Sequence, residues 1–394
     1  MSLARGREFL MTPGPTMIPD SVLGAMHRPA IDLYAPPLEA ITLSCLADLR
    51  RLHRTAGDVY IYAANGHGAW EASLTNTLRR GDLVLVLESG LFARGWGEMG
   101  RMLGLQIEVL PGDWRCAVDP AQLQARLAAD GEHRIRAVMV AHVDTASGVA
   151  NDLAALRGAI DAAGHPALFM ADLVASLGAL SFDMDGWGVD VAVSAPQKAL
   201  MSTPGLSFVA AGPRAKAAHA TSDMRTLYWD WSFRDGPEHY KRYCGTCPEH
   251  LLFGLRQALD LINEEGIDRI LRRHRLLAEA TRRAATVWAA EGALEFNILD
   301  PAQRSDSVTM LLMNAERTQR LMTYCRDRLG IVLGTNIGER RGEGFRIAHM
   351  GHVNAPTMLG VLGGIETALA ALKIPHGRHG VSQAIAWLAE QEPA

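Results

Sequence analysis

The chain has 394 residues, of which 48% are hydrophobic and 21% charged, and its net charge is −4. This length predicts a large core and about two domains, while the near-neutral charge predicts no surface for nucleic acid or another polyanion. The apolar runs are only of strand length, so no membrane span is expected, and the first residues lead into no signal-peptide segment.

Apolar segments of strand length alternate with amphipathic segments over the first half of the chain. The predicted strands are Asp58–Ala63, Leu83–Leu87, Gln106–Leu110, Ala137–Ala141, Ala167–Ala171, Val189–Val193 and Leu206–Ala211. Helices are predicted between most of them, at Gly68–Arg79, Phe92–Leu103, Pro120–Ala129 and Leu153–Ala163. Strands that are apolar on both faces and joined by helices predict an α/β fold with a mainly parallel seven-stranded sheet.

From about Pro248 the pattern changes to long helical stretches that reach about Gly292. The basic run Asp268–Arg275 lies among them, and a solvated helix face explains it better than nucleic-acid binding. Later segments predict strands and helices in alternation: Ser307–Met313, Ala315–Leu329, Ile331–Leu333, Ala355–Leu372 and Gly380–Glu390. We therefore predict an N-terminal arm (1–19), a large domain (20–262) and a smaller α+β C-terminal domain (263–394).

The cysteines are few and odd in number: Cys45, Cys116, Cys244, Cys247 and Cys325. Such a set in a long chain favours reduced thiols and a cytoplasmic location. Cys244 and Cys247 form one CxxC pair. Because no second pair accompanies it and it does not begin a helix after a strand, it predicts neither a zinc site nor a thioredoxin-like centre. We expect no metal site.

Two residues capable of chemistry follow neighbouring predicted strands. Asp172 comes directly after Ala167–Ala171, and Lys198 follows Val189–Val193. Ligands of parallel sheets bind beyond the carboxyl ends of the strands. A lysine amine condenses with the aldehyde of pyridoxal phosphate, and an aspartate keeps the pyridine nitrogen protonated so that the ring acts as an electron sink. Alone, each would be interpreted as a surface lysine or a helix N-cap; together they predict this cofactor.

Donors for the phosphate are expected at the first strand-to-helix junction. The segment Asn65-Gly66-His67-Gly68 follows the strand ending near Ala63 and opens a helix. Glycines let the backbone approach an anion, and the helix N-terminus supplies free N–H groups. Gln197, beside Lys198, can add an amide donor. Glu71 is interpreted as a structural acid.

Two further residues follow strands of the same sheet. Phe92 could stack on the pyridine face, and its alternative is an ordinary core aromatic. Thr145 could donate its hydroxyl to the ring oxygen, and its alternative is a turn residue with an incidental hydroxyl. Both alternatives stay open on the sequence alone.

Six segments together resemble the class V (fold-type I) pyridoxal phosphate-dependent aminotransferases, and within them the alanine/serine–glyoxylate aminotransferase family. The likeness extends from Pro13 to about Ala371. The segments are Pro13–Thr16, Gly66–Glu71, Thr145–Val149, Asp172–Gly178, Gln197–Leu200 and Phe345–Ile347. The resemblance implies the fold-type I architecture and pyridoxal 5′-phosphate as cofactor.

The resemblance also implies cofactor-binding roles. Lys198 matches the Schiff-base lysine and Asp172 the partner of the pyridine nitrogen, while Val174 packs on the ring face opposite Phe92. The residues implied to contact the phosphate or the ring oxygen are Asn65, Gly66, His67, Thr145, Gln197, Tyr243 and Thr246. Tyr243 and Thr246 would come from the neighbouring subunit, which implies a homodimer, or a tetramer built from it, with composite sites.

For the substrate, the resemblance implies that Arg346 clamps the α-carboxylate, with Gly14 and Tyr34 lining the pocket. A planar guanidinium suits this role because it makes two parallel bonds to a carboxylate. The alternative is a strand arginine paired with a surface acid such as Glu343.

The chain departs from the family pattern in places that bear on the substrate. Asn65 stands where relatives usually have serine, and Pro196 replaces a small polar residue. Ile31–Ala35 occupies the place of an Asp-His-Arg-Ser segment of serine-using enzymes. Arg340 and Arg341 precede Arg346 and would favour a donor with a distal anion if either faced the pocket.

The resemblance implies transamination from a small amino acid (serine, alanine or aspartate) to glyoxylate, giving glycine and a 2-oxo acid. A pyridoxamine–pyruvate aminotransferase is the alternative, since Tyr34, Asp144-Thr145 and Pro196 are similar in that relative. A cysteine desulfurase would need a cysteine on a mobile loop, whereas Cys325 lies in a predicted helix. A non-catalytic binding protein of the same fold is a further alternative, although no DNA-binding module is appended.

Overall fold

The computed structural model of the chain describes residues 3–391. In that range the strands are β1 (Phe9–Met11), β2 (Asp58–Tyr62), β3 (Leu83–Leu87), β4 (Gln106–Leu110), β5 (Ile135–Ala141), β6 (Val143–Asp144), β7 (Val149–Ala150), β8 (Leu168–Asp172), β9 (Val191–Ser194), β10 (Ser207–Ala211), β11 (Glu295–Phe296), β12 (Val308–Leu312), β13 (Ile331–Thr335) and β14 (Phe345–Ala348).

The helices of the same residues are α1 (Asp20–Met26), α2 (Pro36–His53), α3 (Gly66–Thr77), α4 (Leu91–Met102), α5 (Pro120–Ala128), α6 (Leu153–Ala162), α7 (Pro213–His219), α8 (Trp231–Arg234), α9 (Glu249–Glu265), α10 (Ile267–Ala289), α11 (Ala315–Leu329), α12 (Ala355–Ala371) and α13 (Gly380–Gln391). Short 3₁₀ helices lie at His239–Tyr243, Pro301–Gln303 and Gly338–Arg340. None of the described helices is long and apolar enough to cross a membrane.

The larger sheet has seven strands in the order β2-β10-β9-β8-β5-β3-β4. The run from β9 to β4 is parallel, and β10 is antiparallel to both of its neighbours. Each predicted strand of this half ends within two residues of an observed one. The predicted α/β fold with a mainly parallel seven-stranded sheet is therefore confirmed.

Both faces of this sheet are buried, which explains why its strands lack polar alternation. In β5, Val138 and Val140 pack into one apolar cluster while Ala137 and Met139 pack into another on the opposite face. Removal of this apolar surface from water is the main stabilising contribution, about 25 cal/mol per Å². Helices on both faces hold the carboxyl ends of the strands at one edge, where the connecting loops meet.

The smaller sheet has the strand order β1-β13-β14-β12-β11. Its first strand comes from the N-terminal arm: Phe9 pairs with Ile331 and Met11 with Leu333, in parallel. The sequence did not predict β1 or β14, because strands of three or four residues give too short a pattern to recognise. The arm therefore joins the C-terminal sheet, while the predicted domain boundaries stay a prediction.

Two helical regions differ from the sequence expectation. Helix α2, of 18 residues, was not predicted. Its first turn contains Pro36 and Pro37, and proline is tolerated there because the first residues of a helix donate no intrahelical N–H bond. The long stretch after Pro248 is two helices, α9 and α10, separated at Gly266. Its φ of +85° is a conformation that glycine adopts without a Cβ penalty.

Candidate active site

A cavity of about 190 Å³ lies at the carboxyl edge of the large sheet. It is lined by Asn65, Gly66, His67, Trp70, Phe92, Val143, Thr145, Asp172, Val174, Ala175, Gln197 and Lys198. Nine of these lining residues belong to the set predicted from the sequence. They lie at or after the carboxyl ends of five different strands of the large sheet, so the topology of the sheet brings them together.

Lys198 reaches into this cavity from the loop after β9. Its Nζ donates a hydrogen bond to the Pro13 carbonyl, and a Cβ on Gly14 would overlap the lysine side chain. The Thr16 hydroxyl donates to the Lys198 carbonyl at 2.8 Å. Burial, with a smaller contribution from the charge of Arg346, lowers the pKa of the Lys198 amine to about 8. The amine is therefore available in its neutral form near neutral pH.

Asp172 is the last residue of β8, and its carboxylate is 5% exposed. Oδ1 accepts a hydrogen bond from the Val174 N–H at 2.7 Å, and Oδ2 accepts one from the indole Nε1 of Trp70 at 3.0 Å. Burial raises the pKa of Asp172 to about 6, while these two bonds oppose that rise. The carboxylate is thus ionised at neutral pH and fixed in orientation.

The predicted phosphate turn forms the N-terminus of α3. Asn65 is its N-cap, and its side chain accepts hydrogen bonds from the N–H groups of His67 (3.1 Å) and Gly68 (3.4 Å). A Cβ on Gly66 would lie 3.0 Å from Val174 Cγ2, so this position leaves little room for a side chain. Glu71 accepts a hydrogen bond from Trp229 Nε1 at 3.1 Å, in agreement with a structural role.

Asp144 is a buried carboxylate to which the sequence assigned no role. It connects the start of α4, which carries Phe92, to the turn that contains Thr145. It accepts hydrogen bonds from the N–H groups of Phe92 (2.8 Å), Ala93 (3.1 Å) and Ala146 (2.9 Å). Burial raises its pKa to about 6. Gly90 permits this approach, because a Cβ there would overlap the Asp144 carboxyl. An acid in a turn carries no local signal of such long-range contacts.

Arg346 lies in β14 and is held by backbone carbonyls. Its Nε (2.9 Å) and Nη2 (2.7 Å) donate to Thr335, and Nη1 donates to Thr145 at 2.8 Å. Glu343 lies 3.5 Å from Arg340 instead, so the alternative of an Arg346–Glu343 pair is wrong. A guanidinium has five N–H groups, so two remain, one on each Nη, and can donate to a carboxylate. Burial lowers the pKa of Arg346 to about 10, so the side chain stays charged.

Several predicted residues do not line the cavity within a single chain. Tyr34 is 74% exposed and Thr246 is exposed. Tyr243 is buried, and its hydroxyl is 2.9 Å from the Thr42 hydroxyl.

The two arginines that precede Arg346 also lie outside the cavity. Arg340 lines a separate groove beside Phe296, and Arg341 is exposed. Their predicted roles at this cavity stay predictions.

The residues of the cavity fit pyridoxal phosphate. A buried lysine amine and a buried carboxylate are the partners that an aldehyde and a pyridine nitrogen need. Gln197 Oε1 is buried without a hydrogen-bond partner among the described residues, so this amide is free to turn its NH₂ group toward a phosphate. Asn65, Gly66 and His67 of the α3 N-terminus line the same cavity.

Comparison with known proteins identifies the family. The model of the class V aminotransferases matches residues 65–348. The chain is 37% identical to the serine–glyoxylate aminotransferase of Methylorubrum extorquens, over 98% of this chain and 97% of that enzyme. It is 33% identical to the L-aspartate–glyoxylate aminotransferase of Paracoccus denitrificans, over 93% and 92%.

A solved structure shares the fold. The crystal structure of pyridoxamine–pyruvate aminotransferase from Mesorhizobium loti matches with a TM-score of 0.89 over 100% of both chains, at 24% identity. Lys198 and Asp172 line one cavity, as expected for an enzyme of the family that the sequence comparison identifies. The chain therefore belongs to the class V aminotransferases, which are pyridoxal phosphate-dependent enzymes of fold type I.

Proposed function

We propose that the chain transfers the amino group of a small amino acid to glyoxylate, giving glycine and a 2-oxo acid. The observation that carries this proposal is the cavity shared by Lys198 and Asp172, with Arg346 bound to its Thr145 wall. Relatives at 33–37% identity are named as glyoxylate aminotransferases, with serine or aspartate as donor. When bound, pyridoxal phosphate supplies the electron sink that stabilises negative charge at the substrate Cα.

Lys198 acts as the acid–base group of the reaction. Its amine has a pKa of about 8 and is half neutral near that pH, so Nζ can remove the proton from Cα of the donor. In the second half of the reaction Nζ returns a proton to Cα of the acceptor. The Pro13 carbonyl and the close approach of Gly14 hold the side chain in place between these steps.

Asp172 and Arg346 would stabilise opposite charges, one on the cofactor and the other on the substrate. Asp172 would hold the ring nitrogen of the cofactor in its protonated form, because its carboxylate is fixed by Trp70 and Val174. Arg346 would bind the α-carboxylate with its two remaining N–H groups, which serve amino acid and oxo acid alike. Asn65, Gly66, His67 and Gln197 would hold the phosphate, with Phe92 and Val174 on either face of the ring.

Placement of the arginines favours serine or alanine over aspartate as donor. Arg346 is already assigned to the α-carboxylate, and Arg340, the candidate for binding a distal anion, lines another groove. A donor with a distal carboxylate would need a second cation at the cavity, so aspartate would depend on a residue from a neighbouring subunit. The exposed Tyr34 loop is the segment that would meet such a neighbour.

We further propose a homodimer, or a tetramer built from it, in which Thr246 and Tyr243 reach the phosphate of the neighbouring site. The exposure of Thr246 supports this arrangement, whereas the Tyr243 hydroxyl would first have to give up its hydrogen bond with Thr42 to reach the phosphate.

All five cysteines are free, which supports our proposal of a cytoplasmic location. Cys325 is fully buried in α11, so it is unsuited to the role of a desulfurase nucleophile.

Half-reactions decide between these donors. The absorbance of the bound cofactor is followed in stopped flow after adding serine, alanine, aspartate or pyridoxamine, and glyoxylate or pyruvate is then added. We expect rapid bleaching by serine or alanine and recovery with glyoxylate, with glycine as the product. Fast conversion by pyridoxamine alone, with no response to amino acids, would replace this proposal with a pyridoxamine–pyruvate activity.

A further inference from the structure

Trp70 lies at the cavity but belongs to no predicted site. It occupies the second turn of α3, five residues after the N-cap Asn65, and is 2% exposed. Its indole Nε1 donates to Asp172 Oδ2 at 3.0 Å. Because the Val174 N–H binds the other carboxylate oxygen at 2.7 Å, the two bonds fix both the position and the plane of the carboxylate.

The indole ring is itself held by a stack of aromatic groups. It lies nearly parallel to Trp96 (centroids 6.1 Å apart, interplanar angle 14°), and the His67 ring packs against it at a tilt, with centroids 4.4 Å apart. Phe92 meets it edge-on at 6.3 Å. The Trp70 side chain therefore contacts His67 of the phosphate turn, Phe92 and Asp172.

We propose that Trp70 is a positioning residue of the aminotransferase: its indole N–H fixes the Asp172 carboxylate for the ring nitrogen of the cofactor. The inference rests on the proposed function, because Asp172 acts on the substrate only through that ring. A carboxylate with one oxygen released could rotate about its side-chain bonds, and the ring nitrogen would lose a well-aligned anionic partner.

The same stack provides a matched control. Trp96 is also buried and carries the same ring, yet its Nε1 has no hydrogen-bond partner among the described residues. Trp70→Phe and Trp96→Phe therefore remove similar volumes from one stack. Only the first removes a hydrogen bond to Asp172.

The first measurement is steady-state kinetics of both variants. We expect kcat of Trp70→Phe to fall about 10-fold, the loss typical of one hydrogen bond to a charged group, with KM for both substrates nearly unchanged. Trp96→Phe should keep kcat within about 2-fold, as expected where no polar contact is lost. Equal losses of kcat in the two variants would overturn the proposal, since packing would then explain both.

The second measurement does not require turnover. The cofactor-free proteins are titrated with pyridoxal phosphate, and the absorbance of the loaded proteins is recorded against pH. Asp172 faces Trp70, Asp144 and Lys198. Because Trp70→Phe removes a donor that favours the ionised carboxylate, we expect weaker cofactor binding and a curve of absorbance against pH that differs from that of the wild type, with Trp96→Phe like the wild type. Identical titrations of both variants would contradict the proposal.

A double variant connects the effect to Asp172. In an Asp172→Asn background, Trp70→Phe should cost little further activity, because the bond acts through that carboxylate; a full additional loss would assign Trp70 another role. If Trp70→Phe fails to bind cofactor, Trp70→Leu and Trp96→Leu carry the same comparison. Failure of the proposed function appears separately, as wild-type protein that binds cofactor but responds to no amino acid.

Discussion

The carboxyl edge of the large sheet and the outlying residues at Tyr34, Tyr243 and Thr246 contribute to the predicted site in different ways. At the sheet edge, side chains far apart in sequence line one cavity. The outlying three lie on the surface or in the core of the same chain, away from that cavity. The difference shows that parallel-sheet topology is enough to bring the cavity residues together within one chain, whereas our proposal assigns the outlying three to contacts with a neighbouring subunit.

The largest expected effect is at the sheet edge. Lys198→Ala should lower the rate of catalysis by up to about 10⁴-fold, because a positioned acid–base group is removed. The chain has only four lysines (Lys198, Lys216, Lys241 and Lys373), which makes assignment simple. Borohydride treatment of the cofactor-loaded wild type, followed by peptide mapping, should label Lys198. Label on Lys216, which is paired with Asp58 and Asp235, would contradict the assignment.

Asp172→Asn should lower kcat by about 10²-fold or more, because the ring nitrogen loses its anionic partner. The single amide oxygen can accept from only one of the two N–H groups, Val174 or Trp70, so folding is checked by circular dichroism. Rates are measured at full cofactor occupancy, checked by absorbance. A kcat near that of the wild type would remove Asp172 from this role.

The third variant tests whether Arg346, in β14 of the smaller sheet, contributes to substrate binding. Arg346→Ala should raise KM for amino acid and oxo acid together, costing about 2–3 kcal/mol in kcat/KM as a bidentate charged contact is lost. Arg340→Ala is the matched control, since that arginine lines another groove. If Arg340→Ala raised KM for aspartate alone, a distal-anion role would replace our donor assignment.

The pH dependence of lysine reactivity tests the electrostatics of the cavity. In cofactor-free protein, Lys198 should react with an amine-directed reagent with a midpoint near its pKa of about 8. The pKa lies below that of an ordinary lysine because burial disfavours the charged form, so the amine is neutral above pH 8 and protonated below it. Arg346→Ala should move the midpoint upward, since a nearby positive charge is removed. A midpoint near 10.5 in the wild type would contradict the burial of the amine.

The smallest effect is expected at the outlying residues. Thr246→Ala should weaken cofactor binding by about 10-fold, the cost of one hydrogen bond to phosphate. Mixed with Lys198→Ala chains, an inactive Thr246→Ala, Tyr243→Phe chain should regain partial activity in heterodimers, which have one intact site. An active, monodisperse monomer in sedimentation would contradict composite sites.

The sequence predicted nine of the residues that line the cavity because its signals are local. Gly66 opens a helix, Asp172 ends a strand and Lys198 follows the next one, so each was placed by the elements around it. Trp70 and Asp144 were not assigned, because their partners lie 102 and 52 residues away along the chain. No periodicity of apolar residues records such contacts.

The pattern of apolar runs determined the order of strands and helices in the first half of the chain, and six motif segments between Pro13 and Ile347 indicated the family. Only the tertiary structure decided that the N-terminal strand joins the C-terminal sheet and that Arg346 is held by the carbonyls of Thr145 and Thr335. It also decided which of the outlying residues are exposed. The physical reason is that periodicity and caps act within a few residues, whereas carboxylate orientation, burial and pKa shifts arise where distant segments pack.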